Sequence, residues 1–474
     1  MKQTSADFSE QSVAALSDTE RVKRRDALGL FMPLGRDAAV DDYGDFATLR
    51  NNLKKVRQHT RSNLAHYLTQ FEAEAVRNGN HVHFARDGDE MNSVVLSLCQ
   101  QHHAKRIAKG KSMVTEETGL NKHLQSAGLQ VMETDLGEYI IQQDGETPSH
   151  IVGPALHKSL AEITSLFRDK HDLGERQLDT ASDVVTEARG ILREHFLQAD
   201  VGIIGANALI AETGYTMLVT NEGNGDLCAN LPPVLIICTT LERILPRSRD
   251  SATLQRLLVR SATGQSQTCY TSFYSGPRRE TDTDGPIATH IVLLDNRRSE
   301  ILASDYHEIL DCIRCGACLN HCPIYVGVGG HAYGWVYPGP MGSVLTPLLT
   351  SLESSEALPN ACTTCGRCAE VCPANIPLPD LLRDLRHDEI SERITPRRWR
   401  RGLRLHAWLL RYPHLYQALS GIVISVLARI GGRRGRFQRL PLASGWTDLR
   451  DFPAPQGKTF MQQYRSQQKK AQRE

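Results

Sequence analysis

CIRCGACLNHCP at residues 312–323 and CTTCGRCAEVCP at residues 362–373 decide how this chain is read. Each run spaces its cysteines as C-x2-C-x2-C-x3-C and places a proline directly after the fourth. A thiolate is a soft ligand, and cysteines two residues apart on a tight loop reach adjacent corners of one iron–sulfur cube. In the two-cluster form of this pattern, the fourth cysteine of each run crosses to the other cluster. The spacing therefore predicts two [4Fe-4S] clusters, the first held by Cys312, Cys315, Cys318 and Cys372, the second by Cys362, Cys365, Cys368 and Cys322. Gly316 and Gly366 let backbone approach a cluster, where amides hydrogen-bond to sulfur and raise its potential. Structural zinc is the competing reading, but zinc sites rarely combine three closely spaced cysteines with a proline after the fourth, and here the whole pattern occurs twice. Clusters with a purely structural role are a second alternative. A pair in this arrangement argues for electron flow.

Working outward, 474 residues are enough for two or more packed domains with a sizeable core. Lys+Arg (55) and Asp+Glu (54) nearly cancel, so no global field selects nucleic acid or an anionic membrane. Eight of the twelve cysteines lie in the two runs, which points to a reducing compartment. The first 25 residues mix charged and small polar side chains, including Lys2, without the apolar core of a signal peptide. A cytoplasmic location is expected, with peripheral membrane contact as the alternative. Cys99, Cys228, Cys238 and Cys269 read as inert core or surface thiols.

Four divisions follow from composition and periodicity. Residues 1–74 read as a helical arm, with Leu64, Tyr67, Leu68 and Phe71 on one face after the helical run at 51–57. Residues 75–298 alternate strand-like and helical stretches, the signature of an α/β layer on a largely parallel sheet. The clearest strands are 217–220, 234–239 and 290–295, and helices are expected at 93–105 and 159–168. Residues 299–386 form the cysteine-, glycine- and proline-rich cluster segment. Residues 387–474 are basic and helical. They hold Arg393, Arg397, Arg398, Arg400, Arg401, Arg404 and Arg411, then an apolar run at 415–430, then Arg433, Arg434, Arg436 and Arg439. The apolar run is broken by Gln417, Ser420, Ser425 and Arg429, so a buried or docking helix is expected, with membrane-surface contact second and no membrane span. Trp399, His406 and Trp408 among the arginines suit a solvated docking face, or a seat for an acidic partner.

Three glycine-bearing stretches are candidate strand-end loops, where open α/β sheets bind ligands: 116–119, then 205–207 with 212–214, then 221–225. The last follows a strand directly and offers Glu222 as a candidate catalytic carboxylate, although plain turns account for such stretches equally well. Neither a G-x-G-x-x-G after a strand nor a P-loop lysine is present, so a nucleotide site has no direct support. Arg314 and Arg367, inside the cysteine runs, are placed either to favour reduced clusters or at the surface.

PSHIVGPALHK at 148–158, residues 199–225, GPRRE at 276–280 leading into IVLLDN at 291–296, and GGHAYGWVYPGPMG at 329–342 join both cysteine runs in one resemblance. Over most of its length the chain resembles the lactate utilisation protein B family, the iron–sulfur subunit of the lactate utilisation system. The resemblance implies an α/β LUD domain, similar in fold to the sugar-isomerase and CoA-transferase group. A helical ferredoxin-like module with two clusters and a helical C-terminal tail follow it. It further implies a cytoplasmic complex with two companion lactate utilisation proteins that oxidises L-lactate to pyruvate. All eight cysteines match the family pattern, which carries no acid, base or nucleophile onto this chain. The expected function is an electron-transfer subunit passing electrons to an unidentified acceptor. The alternatives are a LUD domain that is itself the catalytic or ligand-binding module, and, last, a nucleic-acid enzyme with structural clusters.

Overall fold

The structure, a computed structural model, describes residues 3–440, 447 and 450–472. Met1, Lys2 and parts of the 387–474 division lie outside the described residues, as does the side chain of Arg433. The chain divides into two units, Met1–Glu389 and Ile390–Glu474.

The centre of the first unit is a parallel sheet. Its strands are β1 (His81–Ala85), β2 (Arg106–Lys109), β3 (Gln130–Glu133) and β4 (Val201–Ile204). A second sheet takes β5 (Ala208–Ile210), β6 (Tyr215–Thr220), β8 (Ile244–Leu245) and β9 (Tyr270–Tyr274). The remaining strands, β7 (Val234–Thr240) and β10 (Ala288–Leu294), complete the parallel sheet in the order β1-β10-β7-β4-β2-β3. Every residue of β4 and β7 is buried, as expected of parallel strands covered on both faces, and this is why 234–239 reads as an unbroken apolar run. The strand expected at 217–220 forms, but as part of β6 in the second sheet (order β8-β5-β6-β9), where β5 and β9 flank it antiparallel. A period-two pattern cannot tell which sheet a strand joins.

Helix boundaries follow caps. Ser159 and Glu162 form a capping box that opens helix Leu160–Lys170, close to the expected 159–168. The helix expected at 93–105 is Gly88–Gln101, because the Asp87 side chain accepts from Glu90 N and starts it a turn earlier. That first turn is polar and carries no apolar periodicity.

The N-terminal residues form four helices, Phe8–Ser17, Thr19–Tyr43, Phe46–Ser62 and Leu64–Arg77. Phe8, Phe46, Leu49 and Leu53 share one core with Ile309, Ile313, Leu319, Tyr333 and Leu345 of the cysteine-bearing segment. Thr4 N donates to Gly334 O (2.8 Å) and Ser5 Oγ donates to Tyr333 O (2.9 Å). The arm is thus a wall of the cluster region rather than a free extension.

The second unit contains helices Arg397–Leu410, Pro413–Gly431 and Phe460–Ala471 and a two-stranded pair, Arg436–Phe437 with Phe452–Pro453. The run at 415–430 forms a helix that is not buried: among the described residues Leu415, Leu419, Ile422, Val423, Val426 and Ile430 are exposed, which removes the buried reading and leaves the docking one. Pro413 at the first helical turn and Gly431 at the end lengthen the element to 19 residues, long and apolar enough to cross a membrane by length and composition alone.

Candidate metal centres and the adjoining cleft

The two cysteine runs fold alike. Arg314 and Thr364 occupy matching left-handed positions (φ 59° and 57°), and Gly316 and Gly366 follow in the same region (φ 78° and 83°). The bend turns the Arg314 amide toward Cys312 Sγ (3.5 Å) and the Thr364 amide toward Cys362 Sγ (3.3 Å). Holding non-glycine residues with positive φ costs free energy that the surrounding contacts must offset.

Two small cavities of equal size lie beside the runs. Cys312, Cys315, Cys318 and Cys372 line the first, with Ile151, Ile313, Met341 and Leu378. Cys322, Cys362, Cys365 and Cys368 line the second, with Tyr333, Pro340 and Leu382. The fourth cysteine of each run therefore faces the cavity of the other. Burial pushes the Cys368 thiol up to about 12 and the Cys372 thiol up to about 11, so ionising them calls for a cation at the sulfur. Four convergent sulfurs in an apolar shell fit an iron–sulfur cube.

Cations surround the loops that carry these sulfurs. In helix Phe46–Ser62, Arg50, Lys54, Arg57 and Arg61 recur at i, i+4, i+7 and i+11. Arg50 Nε donates to Cys372 O (2.9 Å), Lys54 Nζ to Asn375 O (3.4 Å) and Arg57 Nη2 to Leu310 O (2.6 Å), while Arg61 pairs with Asp311. Arg36 Nη2 reaches Val371 O (3.0 Å), Arg243 Nη1 reaches Cys312 O (3.2 Å) and Arg386 Nη2 reaches Cys362 O (2.7 Å). None of these was singled out from the sequence, although the basic stripe from Arg50 to Arg61 was legible as helical spacing. Of the two arginines that were, Arg314 is buried over the Tyr337 ring (4.4 Å), and Arg367 lies half-exposed between Asp37 (3.2 Å) and Glu370 (3.1 Å). A cation within several ångströms favours the more negative, reduced cluster. Arg50→Gln is expected to lower the potential of the nearer cluster by roughly 100 mV, for a charge about 7 Å away at an effective dielectric constant near 20, read by an EPR-monitored redox titration.

A buried ion network joins the sheet to the cysteine-bearing segment. Glu117 accepts from Arg298 through both carboxylate oxygens (3.0 and 2.8 Å), from Tyr337 Oη (2.6 Å) and from Asn296 Nδ2 (2.6 Å). Burial raises the Glu117 pKa, but Arg298 and these donors outweigh it and hold the carboxyl below its ordinary range. Glu242 lies 3.1 Å from Arg298 Nε without hydrogen-bond alignment and 3.8 Å from Arg314. Burial pushes Glu242 up, while Arg298, Arg243 and Arg314 bring it to about 2. The 116–119 stretch, a candidate ligand loop or plain turn, therefore supplies an internal strut.

A cleft of about 410 Å³ opens at the carboxyl ends of β2, β3 and β4. From β2 the chain winds outward to β3 and then returns to β4 on the other side, so the ends of β2 and β4 form a topological switch point, where open α/β sheets bind ligands. Lys111, Asn207, Asn221, Glu222 and Arg243 line the cleft, with Leu218, Val219 and Leu258. Ile151, Ile313 and Arg314 line both this cleft and the first cysteine cavity. The 205–207 and 221–225 stretches thus meet at one site. Glu212 lies elsewhere, accepting from Ser248 N (2.9 Å). Glu222 stands exposed at the cleft mouth. Cys99, Cys228 and Cys238 are buried, and burial pushes each thiol up to about 12, consistent with inert side chains. One further set of metal-capable groups, Glu146, His157 and His331, has ligand atoms within 4.8 Å of one another. These are already engaged by Lys158, Ser149 and the Thr147 carbonyl, which makes them a hydrogen-bonded clamp.

Comparison with known proteins agrees with this geometry. The LUD domain family matches residues 68–294, and the 4Fe-4S dicluster domain family matches residues 308–376. The chain is 42% identical over 441 residues to Lactate utilization protein B of Geobacillus sp. (strain WCH70), covering 91% of each. It is 40% identical over 437 residues to the uncharacterized electron transport protein YkgF of Escherichia coli (strain K12), again covering 91% of each. Against Lactate utilization protein B of Geobacillus thermodenitrificans (strain NG80-2) it is 39% identical over 475 residues, covering 98% of this chain and 95% of that one. A parallel α/β sheet of the LUD type, joined to paired cysteine cavities, defines an iron–sulfur protein with two [4Fe-4S] clusters. The chain belongs to the lactate utilization protein B family.

Proposed function

We propose that this chain is the electron-transfer subunit of a complex that oxidises L-lactate, or a similar 2-hydroxy acid, to pyruvate. Cys312, Cys315, Cys318 and Cys372 hold one cluster, and Cys362, Cys365, Cys368 and Cys322 hold the other. Oxidation of the alcohol carbon releases two electrons and two protons. A redox group on one of two companion proteins takes the electron pair, and the clusters held by these eight cysteines would supply one-electron sites between it and an acceptor. Clusters bind and orient no substrate, so this chain contributes burial, sulfur hydrogen bonds and the surrounding arginines, which set each potential. The observation that carries the reading is the wall shared by the strand-end cleft and the first cysteine cavity, which brings any molecule in the cleft beside a cluster.

The same wall favours a second reading, in which the LUD domain itself binds the reactant and Glu222 carries a proton at the cleft mouth. Anaerobically purified protein, given L-lactate with and without the two companions, tests both by EPR. Cluster signals that appear only with the companions support the electron carrier. Reduction by lactate with this chain alone, lost in Glu222→Gln, supports catalysis in the cleft. No reduction under either condition overturns both.

A further inference from the structure

Residues 393–440 contain twelve arginines and no aspartate, glutamate or lysine, in a chain whose formal charge is only +1. This excess is concentrated in the second unit. Helix Arg397–Leu410 segregates it: Arg397, Arg401, Arg404 and Arg411 recur at i, i+4, i+7 and i+14 on one side. Trp399, Leu403 and Leu410 recur at i, i+4 and i+11 on the other. No residue of this helix is buried, and Trp399 is 61% exposed. The next helix, Pro413–Gly431, presents a second uncovered stripe, Leu415, Leu419, Ile422, Val426 and Ile430, with Ile422 also 61% exposed. Tyr412 and Tyr416, at the junction of the two helices, are exposed as well.

An exposed apolar stripe of this length is unstable against water unless something covers it. Its chemistry names the cover. A protein partner would need an apolar groove rimmed by acidic groups. A bilayer carrying anionic lipid offers both an apolar layer and a negative surface, and indole and phenol rings favour the boundary between them. Arginine opposite tryptophan and leucine is the composition of helices that lie in the interface plane.

We propose that helices Arg397–Leu410 and Pro413–Gly431 seat this protein on the surface of an anionic lipid bilayer, with the arginines at the headgroups and the apolar stripes in the outer acyl layer. The inference stands independently of lactate oxidation, because it concerns a different unit of the chain and its test uses no substrate. Surface seating, rather than spanning, follows from Arg429 inside the second helix and the polar breaks at Gln417, Ser420 and Ser425.

The test is cosedimentation of the full-length, cluster-loaded protein with phosphatidylcholine vesicles with and without 30% phosphatidylglycerol. Binding is expected to the anionic vesicles, to weaken steeply with salt, and to be at least 100-fold weaker on neutral ones. Each arginine near such a surface contributes about a five-fold factor, so replacing Arg397, Arg401, Arg404 and Arg411 together with glutamine should weaken binding by two orders of magnitude or more. Iron content serves as the folding control for that variant. Tryptophan fluorescence of the unmodified chain should shift to the blue on anionic vesicles and be partly quenched by brominated acyl chains as Trp399 enters the acyl layer, a readout that needs no variant. Lack of binding at low salt overturns the proposal, as does equal binding to neutral vesicles. Retention through alkaline carbonate extraction overturns surface seating in favour of a span.

Discussion

Cys318→Ala and Cys322→Ala, four residues apart in one run, are expected to destroy different clusters. Cys318 lines the first cavity and Cys322 the second. Each variant should purify with about half the iron of the parent, since a cube missing one thiolate ligand is the one lost. The surviving EPR signal should differ between them: Cys318→Ala should match Cys372→Ala, and Cys322→Ala should match Cys365→Ala. The partner in each match comes from the other run. If Cys318→Ala and Cys322→Ala left the same signal, the crossed ligand sets would be wrong. Both variants should also lose electron transfer from lactate through to the acceptor in the presence of the companions, because a relay through two sites fails when either is removed.

The second large effect is expected in the buried ion network. Glu117→Ala leaves Arg298 without its bidentate partner, and stranding one charge of a buried pair destabilises by about 3–5 kcal/mol. Denaturant unfolding under anaerobic conditions measures it. Glu117→Gln should cost less, because the amide oxygen still accepts hydrogen bonds from Arg298. The network also has a pH signature. The Glu117 carboxyl titrates below its unfolded value of about 4.5, so its contribution is complete above that value and is lost as pH falls through the folded pKa. Below about pH 4.5 the difference between parent and Glu117→Gln should therefore narrow. Comparing the two at each pH cancels the acid lability of the clusters themselves.

How much of this was legible in the sequence depends on the range of the interaction. The eight cysteines were readable because iron–sulfur ligation constrains residues two and three apart. The parallel strands β7 and β10 were readable because burial on both faces leaves an unbroken apolar run. Glu117 was noticed as part of a polar, glycine-bearing stretch, but its partners Arg298 and Tyr337 lie 181 and 220 residues away, so nothing local separates a strut from a ligand loop. Arg57 and Arg243 are invisible for the same reason: each ends on a backbone carbonyl of the cysteine-bearing segment, and any residue type supplies a carbonyl. The helix over 415–430 shows the converse. Its apolar positions were read correctly, but hydropathy alone cannot say whether protein, lipid or water faces them.

The bonds from Thr4 and Ser5 to Gly334 and Tyr333 bear on how the protein is made. These partners are 330 and 328 residues apart. At ordinary ribosomal speeds of about 5–20 residues per second, Thr4 and Ser5 wait roughly 16–66 s for these partners. The strand β10, which sits between β1 and β7, also emerges only just ahead of the first cysteine run. Helices Thr19–Tyr43 and Phe46–Ser62 meet the helix Ser248–Thr263, made before the cysteines, whereas Thr4 and Ser5 still lack Gly334 and Tyr333. The first residues to be synthesised therefore lock into place only after the first cysteine run has been made.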